Sequence, residues 1–305
     1  MDIVSCTDNN YIIPLGVTMT SVFINNEEDI NYHIITTNKV SNDNKNKLQI
    51  CAEKYGKKVY FYEIPQSLLD KFPLRESGYI TTASYIRLFI QEILPEFIKK
   101  IIYLDCDIIV NQSLKEFWET DLNNYSTGVI LDSIYSDLSI YSRLNYDKKY
   151  KYFNAGVLLI NLDYWRKNSI INQCLSFINN HPERILNEDQ DVLNAVLHNT
   201  TYYLPLKYNA VCAVFYKECP YGNNLKQQID EARNHPVIIH YTYIKPWNIE
   251  DRHPLGNLFF KYLRLTPWRK YPLTLFYKNR NKFKAHIKRL IDLYFFKNNG
   301  PYIKL

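Results

Sequence analysis

At 305 residues, with 46% hydrophobic and 22% charged side chains, the chain is too apolar to be disordered and long enough to bury a sizeable core. Its net charge of +6 is unevenly spread. Twelve Lys and Arg face the single acid Asp292 between Phe259 and Leu305, giving that tail +11 and residues 1–258 about −5.

Asp2-Ile3-Val4-Ser5-Cys6-Thr7 reads as a first buried strand, followed by the polar turn Asp8-Asn9-Asn10-Tyr11 and an apolar helix from about Ile12 to Phe23. Such a turn before a helix either caps the helix through Asp8 or Asn10 or offers an anion or nucleotide site. A second strand at Tyr32 to Thr36, a polar helix from about Asp43 to Tyr55 and a strand at Lys58 to Tyr62 extend the series to β-α-β-α-β. That alternation is the pattern of a doubly wound nucleotide-binding sheet. Neither G-x-G-x-x-G nor G-x-x-x-x-G-K-[ST] occurs, which disfavours a dinucleotide fold of the usual kind and a P-loop.

Thr81 to Ile90 reads as a capped helix start that buries Ile86, Phe89 and Ile90 and leaves Arg87 off the stripe, facing a phosphate or solvent. From Lys99 to Val110 an apolar run is broken by Asp105 and Asp107. Read as one buried strand, it sends both carboxylates to the same side at its C-terminal end. Two ionised carboxylates that close call for a cation, and a hard divalent ion is the usual one. Thr127 to Asp132 and Tyr152 to Asn161 are further strands. The first ends on a carboxylate, and the second enters through Asn154-Ala155-Gly156, where small residues permit close approach of a ligand or simply tight packing. Glu188-Asp189-Gln190-Asp191 precedes a helix from Val192 to Leu197, where acids also suit a helix N-terminus without any further role. Pro236 to Tyr241 is a last strand ending at His240, followed by Lys245-Pro246-Trp247. Alone such a His is usually structural; two aspartates, a His and a Lys at strand ends together point to a metal-diphosphate site.

In the tail, Phe283, Ile287, Leu290, Ile291 and Tyr294 share one helical face with Lys288, Arg289 and Asp292 opposite, the pattern of a basic amphipathic helix that lies on an anionic bilayer or packs on the body. A basic tail can also bind nucleic acid, but no recognised nucleic-acid module precedes it. Six cysteines without C-x-x-C or metal-finger spacing read as reduced thiols. The residues after Met1 carry no basic and apolar signal regions, and no stretch approaches ~18 uninterrupted apolar residues. The expected location is therefore cytoplasmic, peripheral on the cytoplasmic face of the inner membrane.

With these residues assembled, the chain resembles glycosyltransferase family 8, in particular its bacterial lipopolysaccharide galactosyl- and glucosyltransferases. The carrying motifs are D-I-V-S-C-T-D-N-N-Y (2–11), T-T-A-S-Y-I-R-L (81–88), Y-L-D-C-D (103–107), Y-F-N-A-G-V-L-L-I-N (152–161), N-E-D-Q-D-V-L-N (187–194) and H-Y-T-Y-I-K-P-W (240–247), in family order over residues 1–250. The resemblance implies an α/β GT-A fold: a Rossmann-like, mixed but mostly parallel sheet flanked by helices, placed over residues 1–258; the basic amphipathic composition marks 259–305 as a membrane-association tail. The resemblance also implies retaining transfer of a hexose from a UDP-sugar to a saccharide or lipid-linked glycan acceptor, with Mn2+ or Mg2+ bound by Asp105, Asp107 and His240. Thr7, Asp8, Asn10 and Tyr11 match the uracil and ribose positions and Lys245 the diphosphate position, and Leu104 and Cys106 of the Y-L-D-C-D motif are further expected donor-binding residues. Arg87, Asp132, Asn154, Gly156, Asp189 and Gln190 match positions around the donor sugar, with Asp189 and Gln190 as the expected catalytic pair. Two departures stand out. Tyr243 occupies a position where relatives often carry glycine, and Gln190 is an amide and a poor nucleophile, so same-face attack and a covalent intermediate both stay open. The competing functions are a metal-dependent sugar nucleotidyltransferase, which would want a glycine-rich triphosphate loop near the first strand, and a non-catalytic nucleotide-sugar binder, which would be expected to lack a metal ligand or the Asp189-Gln190 pair.

Overall fold

The computed structural model describes residues 1–37, 40–69, 85–248, 251–271 and 300–305. Period-2 burial builds its centre. Strand β1 (Asp2–Thr7) sends Ile3 to one face of the main sheet and Val4 to the other, and β4 (Lys100–Leu104) divides Ile102 and Leu104 from Ile101 and Tyr103 in the same way. Both faces are thus apolar and both are covered by other elements, as a largely parallel sheet requires. Helix α1 (Ile12–Ile24) covers one face. After it come β2 (Asn31–Thr36), α2 (Asn42–Glu53) and β3 (Lys58–Glu63), in the expected β-α-β-α-β order. The remaining strands are β5 (Ile108–Val110), β6 (Thr127–Leu131), β7 (Phe153–Asn161), β8 (Thr201–Tyr203), β9 (Ala210–Val211) and β10 (Ile238–His240). Seven of them form one sheet in the order β3-β2-β1-β4-β7-β6-β8, with β7 antiparallel to both its neighbours and the other pairs parallel. The other three form a small sheet, β5-β10-β9.

This topology corrects the reading of Lys99 to Val110 as one strand. The chain leaves the large sheet after Leu104, crosses through Asp105-Cys106-Asp107, and joins the small sheet at Ile108, antiparallel to β10. The crossing is pinned from beneath by α1, where the Thr18 hydroxyl lies 2.8 Å from both the Cys106 and the Ile108 carbonyls. Asp105 and Asp107 therefore converge because they sit at the junction of two sheets and not by alternation along one strand. His240 likewise comes from the small sheet rather than from a row of parallel strand ends. Its register partner across the ladder is Ile108, and the Tyr241 N–H donates to the Asp107 carbonyl, so a residue far along the chain is locked beside the crossing.

The expected helix around residue 86 is a 3-10 turn, Ile86–Phe89, running into Ile90–Ile93, with Ile86, Phe89 and Ile90 fully buried as their spacing requires; Thr81 to Ser84 lie outside the described residues. Helix α3 (Glu188–Leu197) starts four residues earlier than expected, so its acids form the first turn. The expected domain boundary after residue 258 falls inside helix α4 (Gly256–Leu263), which packs on the body. Phe259, Tyr262 and Leu263 are buried against Val17, Ile109, Ile239 and Tyr241, and Tyr262 accepts a hydrogen bond from Asn25 of the α1 C-cap at 2.8 Å. Trp268 lies so close to Gly16 that a Cβ there would stand 2.5 Å from its ring. The last residues return to the body: Lys217 N–H donates to Pro301 O (2.8 Å), Ile303 N–H to Phe215 O (2.9 Å), and Tyr302 is buried. The amphipathic face from Phe283 to Tyr294 lies outside the described residues. Among the described residues no helix is long and apolar enough to cross a membrane, and all six cysteines are free.

Candidate active site

Two cavities open beside the crossing. The larger, about 540 Å³, is lined by Asp132, Asn154, Gly156, Asp189, Gln190, His240 and Lys245 among others; the smaller, about 270 Å³, by Thr7, Asp8, Asn10, Tyr11 and Cys106. Arg87, Asp105 and Asp107 line both, so the carboxylates stand where the two chambers meet.

At that junction His240 Nε2 lies 3.3 Å from Asp107 Oδ1 and 3.8 Å from Asp105 Oδ2, and one ligand atom from each of the three residues falls within 4.8 Å of the others. The junction is roofed by β7 at a glycine. A Cβ on Gly156 would stand 2.2 Å from His240 Cε1 and 2.7 Å from Asp105 Oδ2. Only a residue without a side chain lets that backbone pass so close. Lys245 contacts Asp107 Oδ2 and the Tyr241 carbonyl. Burial alone would raise the Asp107 carboxyl, but the Lys245 ammonium in contact with it outweighs burial and holds it below the usual carboxylate range. Two carboxylates and an imidazole at these separations are a donor set for a divalent cation.

Toward the larger cavity, Arg87 is neither solvated nor free. Its guanidinium contacts Asp105 Oδ1 and Asp189 Oδ2, each at 2.9 Å, donates to the Ala155 carbonyl at 2.7 Å, and lies over the Tyr103 ring. Burial works against its charge, yet the two carboxylates keep it protonated. Burial pushes the Asp189 carboxyl up to about 7 against the pull of Arg87. Gln190 Oε1 accepts from the Ala155 N–H (3.0 Å), and its Nε2 reaches Asp132 Oδ2 (3.2 Å), which also takes Asn154 Nδ2 at 2.9 Å. Asp191, one residue on, faces the interior: it is fully buried and held by Arg143, the Tyr152 hydroxyl and the Leu186 and Asn187 N–H groups. The acidic cluster thus splits, with Asp191 tying down the helix start and Asp189 and Gln190 lining the cavity.

In the smaller cavity, Asp8 Oδ1 accepts from the Asn10 and Tyr11 N–H groups (2.9 and 3.1 Å), so it organises the turn before α1 while lining the chamber. Tyr11 is 40% exposed and meets Trp247 edge-on, which leaves a ring face open at the mouth. Of the expected site residues, Leu104 alone does not join. Its side chain is fully buried in the apolar core, because β4 alternation turns it away from Tyr103 and Asp105. Sequence reasoning missed Tyr103, whose hydroxyl donates to Asp105 Oδ1 at 2.9 Å, and Asn209, a fully buried amide between Asn154 and His240. Tyr103 was visible in its motif; nothing in Lys207-Tyr208-Asn209-Ala210 marks the amide.

These features define a GT-A fold with a two-chambered pocket. The galactosyltransferase LgtC, solved in complex with donor and acceptor sugar analogs, superposes with a TM-score of 0.79 at 25% identity, covering 88% of this chain and 96% of that one. The sequence profile described as Glycosyl transferase family 8 matches residues 2–251, and the chain belongs to that family. Its relatives include General stress protein A of Bacillus subtilis strain 168, 32% identical over 275 residues (88% of this chain, 94% of that protein). The lipopolysaccharide 1,2-glucosyltransferase of Escherichia coli K12 is 27% identical over 267 residues (86% and 77%). The chain is thus a family 8 glycosyltransferase related to lipopolysaccharide glucosyl- and galactosyltransferases.

Proposed function

We propose that the protein transfers a hexose, galactose or glucose, from a UDP-sugar with retention of configuration and dependence on a divalent metal, to a saccharide acceptor of lipopolysaccharide or another cell-surface glycan. The observation that carries this reading is the position of Asp105, Asp107 and His240 at the meeting of the two chambers, where a diphosphate joining a nucleoside to a sugar would lie. The donor set and the Gly156 cradle fit the ion, Mn2+ with Mg2+ as the alternative. When bound, it supplies charge stabilisation on the departing nucleoside diphosphate. Thr7, Asp8, Asn10, Tyr11 and Cys106 line the nucleoside chamber, and Lys245 brings a cation to the diphosphate position. Arg87 holds Asp105 and Asp189 in fixed relation, and Asp132, Asn154 and Gln190 form the hydrogen-bonded floor of the sugar chamber. Gln190 presents an amide and Asp189 is ion-paired to Arg87, so neither is a free carboxylate nucleophile, which favours same-face attack over a covalent intermediate. The complete ligand set and the Asp189-Gln190 pair in the cavity weigh against a non-catalytic binder. Incubation with a panel of UDP-sugars and Mn2+ while following UDP release tests the proposal; no release from any UDP-hexose, with or without glycan acceptors, would overturn it.

We further propose that the basic tail holds the enzyme on an anionic membrane face, peripheral on the cytoplasmic side. The support is its charge of +11 and the amphipathic spacing from Phe283 to Tyr294. Because α4 belongs to the body, the test neutralises Lys278, Arg280, Lys282, Lys284, Lys288 and Arg289 to Gln rather than truncating after 258. Co-sedimentation with anionic vesicles should be lost in that variant and weaken with salt; equal sedimentation of both proteins would refute the anchor.

A further inference from the structure

One buried side chain beside the site has no assigned part in it. Asn209 is fully buried between Asn154 and His240, and which way its amide points can be read from donors that cannot flip. The Gly156 N–H has only a proton to offer and lies 3.0 Å from one end of the Asn154 amide, so that end is Oδ1. The other end is then Nδ2, and it meets two acceptors: Asp132 Oδ2 at 2.9 Å and Gln190 Oε1 at 3.2 Å, the latter itself fixed by the Ala155 N–H. Asn154 Oδ1 has a second lone pair, which takes the Nδ2 of Asn209 at 2.9 Å. The Asn209 atom that remains is its Oδ1, an acceptor without a proton, 3.0 Å from His240 Nδ1. That nitrogen must therefore carry the proton.

We infer that Asn209 is a positioning residue that holds His240 as the Nδ1–H tautomer, so that the Nε2 lone pair faces Asp105 and Asp107. The inference rests on the metal-site reading above and adds how this chain prepares its imidazole. A neutral ring has one proton. With Nδ1–H given to Asn209, Nε2 is the free ligand atom, and it is the nitrogen that lies 3.3 Å from Asp107 Oδ1. The opposite tautomer would set two lone pairs against each other in a dry interior and turn an N–H toward the metal position. The polarity originates in two backbone N–H groups of β7, so the Asn-Ala-Gly stretch that floors the sugar chamber also sets the proton on the metal-binding histidine. It does so through one intervening amide.

Two measurements test this. In protein labelled with 15N-histidine and loaded with Mg2+ and UDP, His240, identified by loss of its signals in His240→Gln, should show a protonated Nδ1 and an unprotonated Nε2. A wild-type ring protonated at Nε2 and bare at Nδ1 overturns the inference without any variant. Second, Asn209→Leu should lose about 10- to 100-fold in metal-dependent UDP affinity while binding in chelator is unchanged. Asn209→Asp keeps an acceptor for Nδ1–H and should fall between Asn209→Leu and the wild type. Wild-type affinity in a folded Asn209→Leu, or equal losses in the two variants, contradicts the role. Absence of any metal-dependent UDP binding by the wild type would instead defeat the metal reading on which the inference rests.

Discussion

Replacing Gly156 by alanine probes the junction with one methyl group. The added Cβ would stand 2.2 Å from His240 Cε1 and 2.7 Å from Asp105 Oδ2, more than 1 Å inside the 3.4 Å edge of ordinary contact for the ring. The β7 backbone cannot retreat cheaply, because the Gly156 N–H is bonded to Asn154 and its carbonyl accepts from the Asp105 N–H at 2.9 Å. The imidazole and the carboxylate must therefore move. Overpacking of this kind costs roughly 1–3 kcal/mol of stability, a fall in Tm of about 2–4 °C per kcal/mol for a domain of this class. Its effect on function should be larger than its effect on folding. Metal ligands tolerate displacements of only about 0.2 Å, and a 1 Å misplacement at a reacting centre costs on the order of 10²-fold. Calorimetric titration with UDP and Mn2+, alongside thermal melts, should show a folded protein whose metal-dependent UDP affinity has fallen by about two orders of magnitude. A folded Gly156→Ala with wild-type affinity would refute the assignment of this junction as the metal site.

Gln190→Ala should cut turnover far more than UDP affinity, as expected for a group facing the sugar. Asp191→Ala should do the reverse, losing about 3–5 kcal/mol in urea unfolding by leaving the half-buried Arg143, the Tyr152 hydroxyl and the Leu186 and Asn187 N–H groups without their shared acceptor. Arg87→Met strands the buried Asp189 and the partly buried Asp105 and should cost a similar ~3–5 kcal/mol; adding Asp189→Asn should restore part of it, and a purely additive double variant would show that the pair is not coupled. His253 is buried among Phe215, Tyr241 and Tyr302, and burial lowers its pKa from 6.5 to about 3. The unfolded chain therefore binds one more proton between these values. Stability is complete above pH 6.5 and falls as pH drops through the window, by at most about 1.4 kcal/mol per pH unit. His253→Leu should flatten that acid limb in urea titrations, and an unchanged slope would contradict the burial argument.

The first half of the main sheet was legible because β1 to β3 and their helices alternate as short apolar runs, polar turns and helix-length stretches. The Asp105-x-Asp107 pair was also legible as a site, but for a different reason than strand alternation. Ile108 to Val110 is as apolar as Lys100 to Leu104, so nothing local reveals that the chain changes sheets between them. That break depends on β10, which lies far along the chain and supplies the ladder for β5. Helix α4 did carry a signal, Phe259, Tyr262 and Leu263 at i, i+3 and i+4, hidden beneath the shift to basic composition that prompted the boundary at 258. Asn209 carried none. A buried amide acts through three-dimensional neighbours on β7 and β10, and its own flanking residues look like ordinary loop and core.

The central claim, that a divalent ion at Asp105, Asp107 and His240 joins nucleotide to protein, is tested most directly by UDP titration of the full chain in Mn2+ and in chelator, with Asp107→Asn beside the wild type. The expected result is strong binding only for wild type in Mn2+, and weak, equal binding in the other three conditions. UDP affinity that is the same with and without metal, or undiminished in Asp107→Asn, would contradict it.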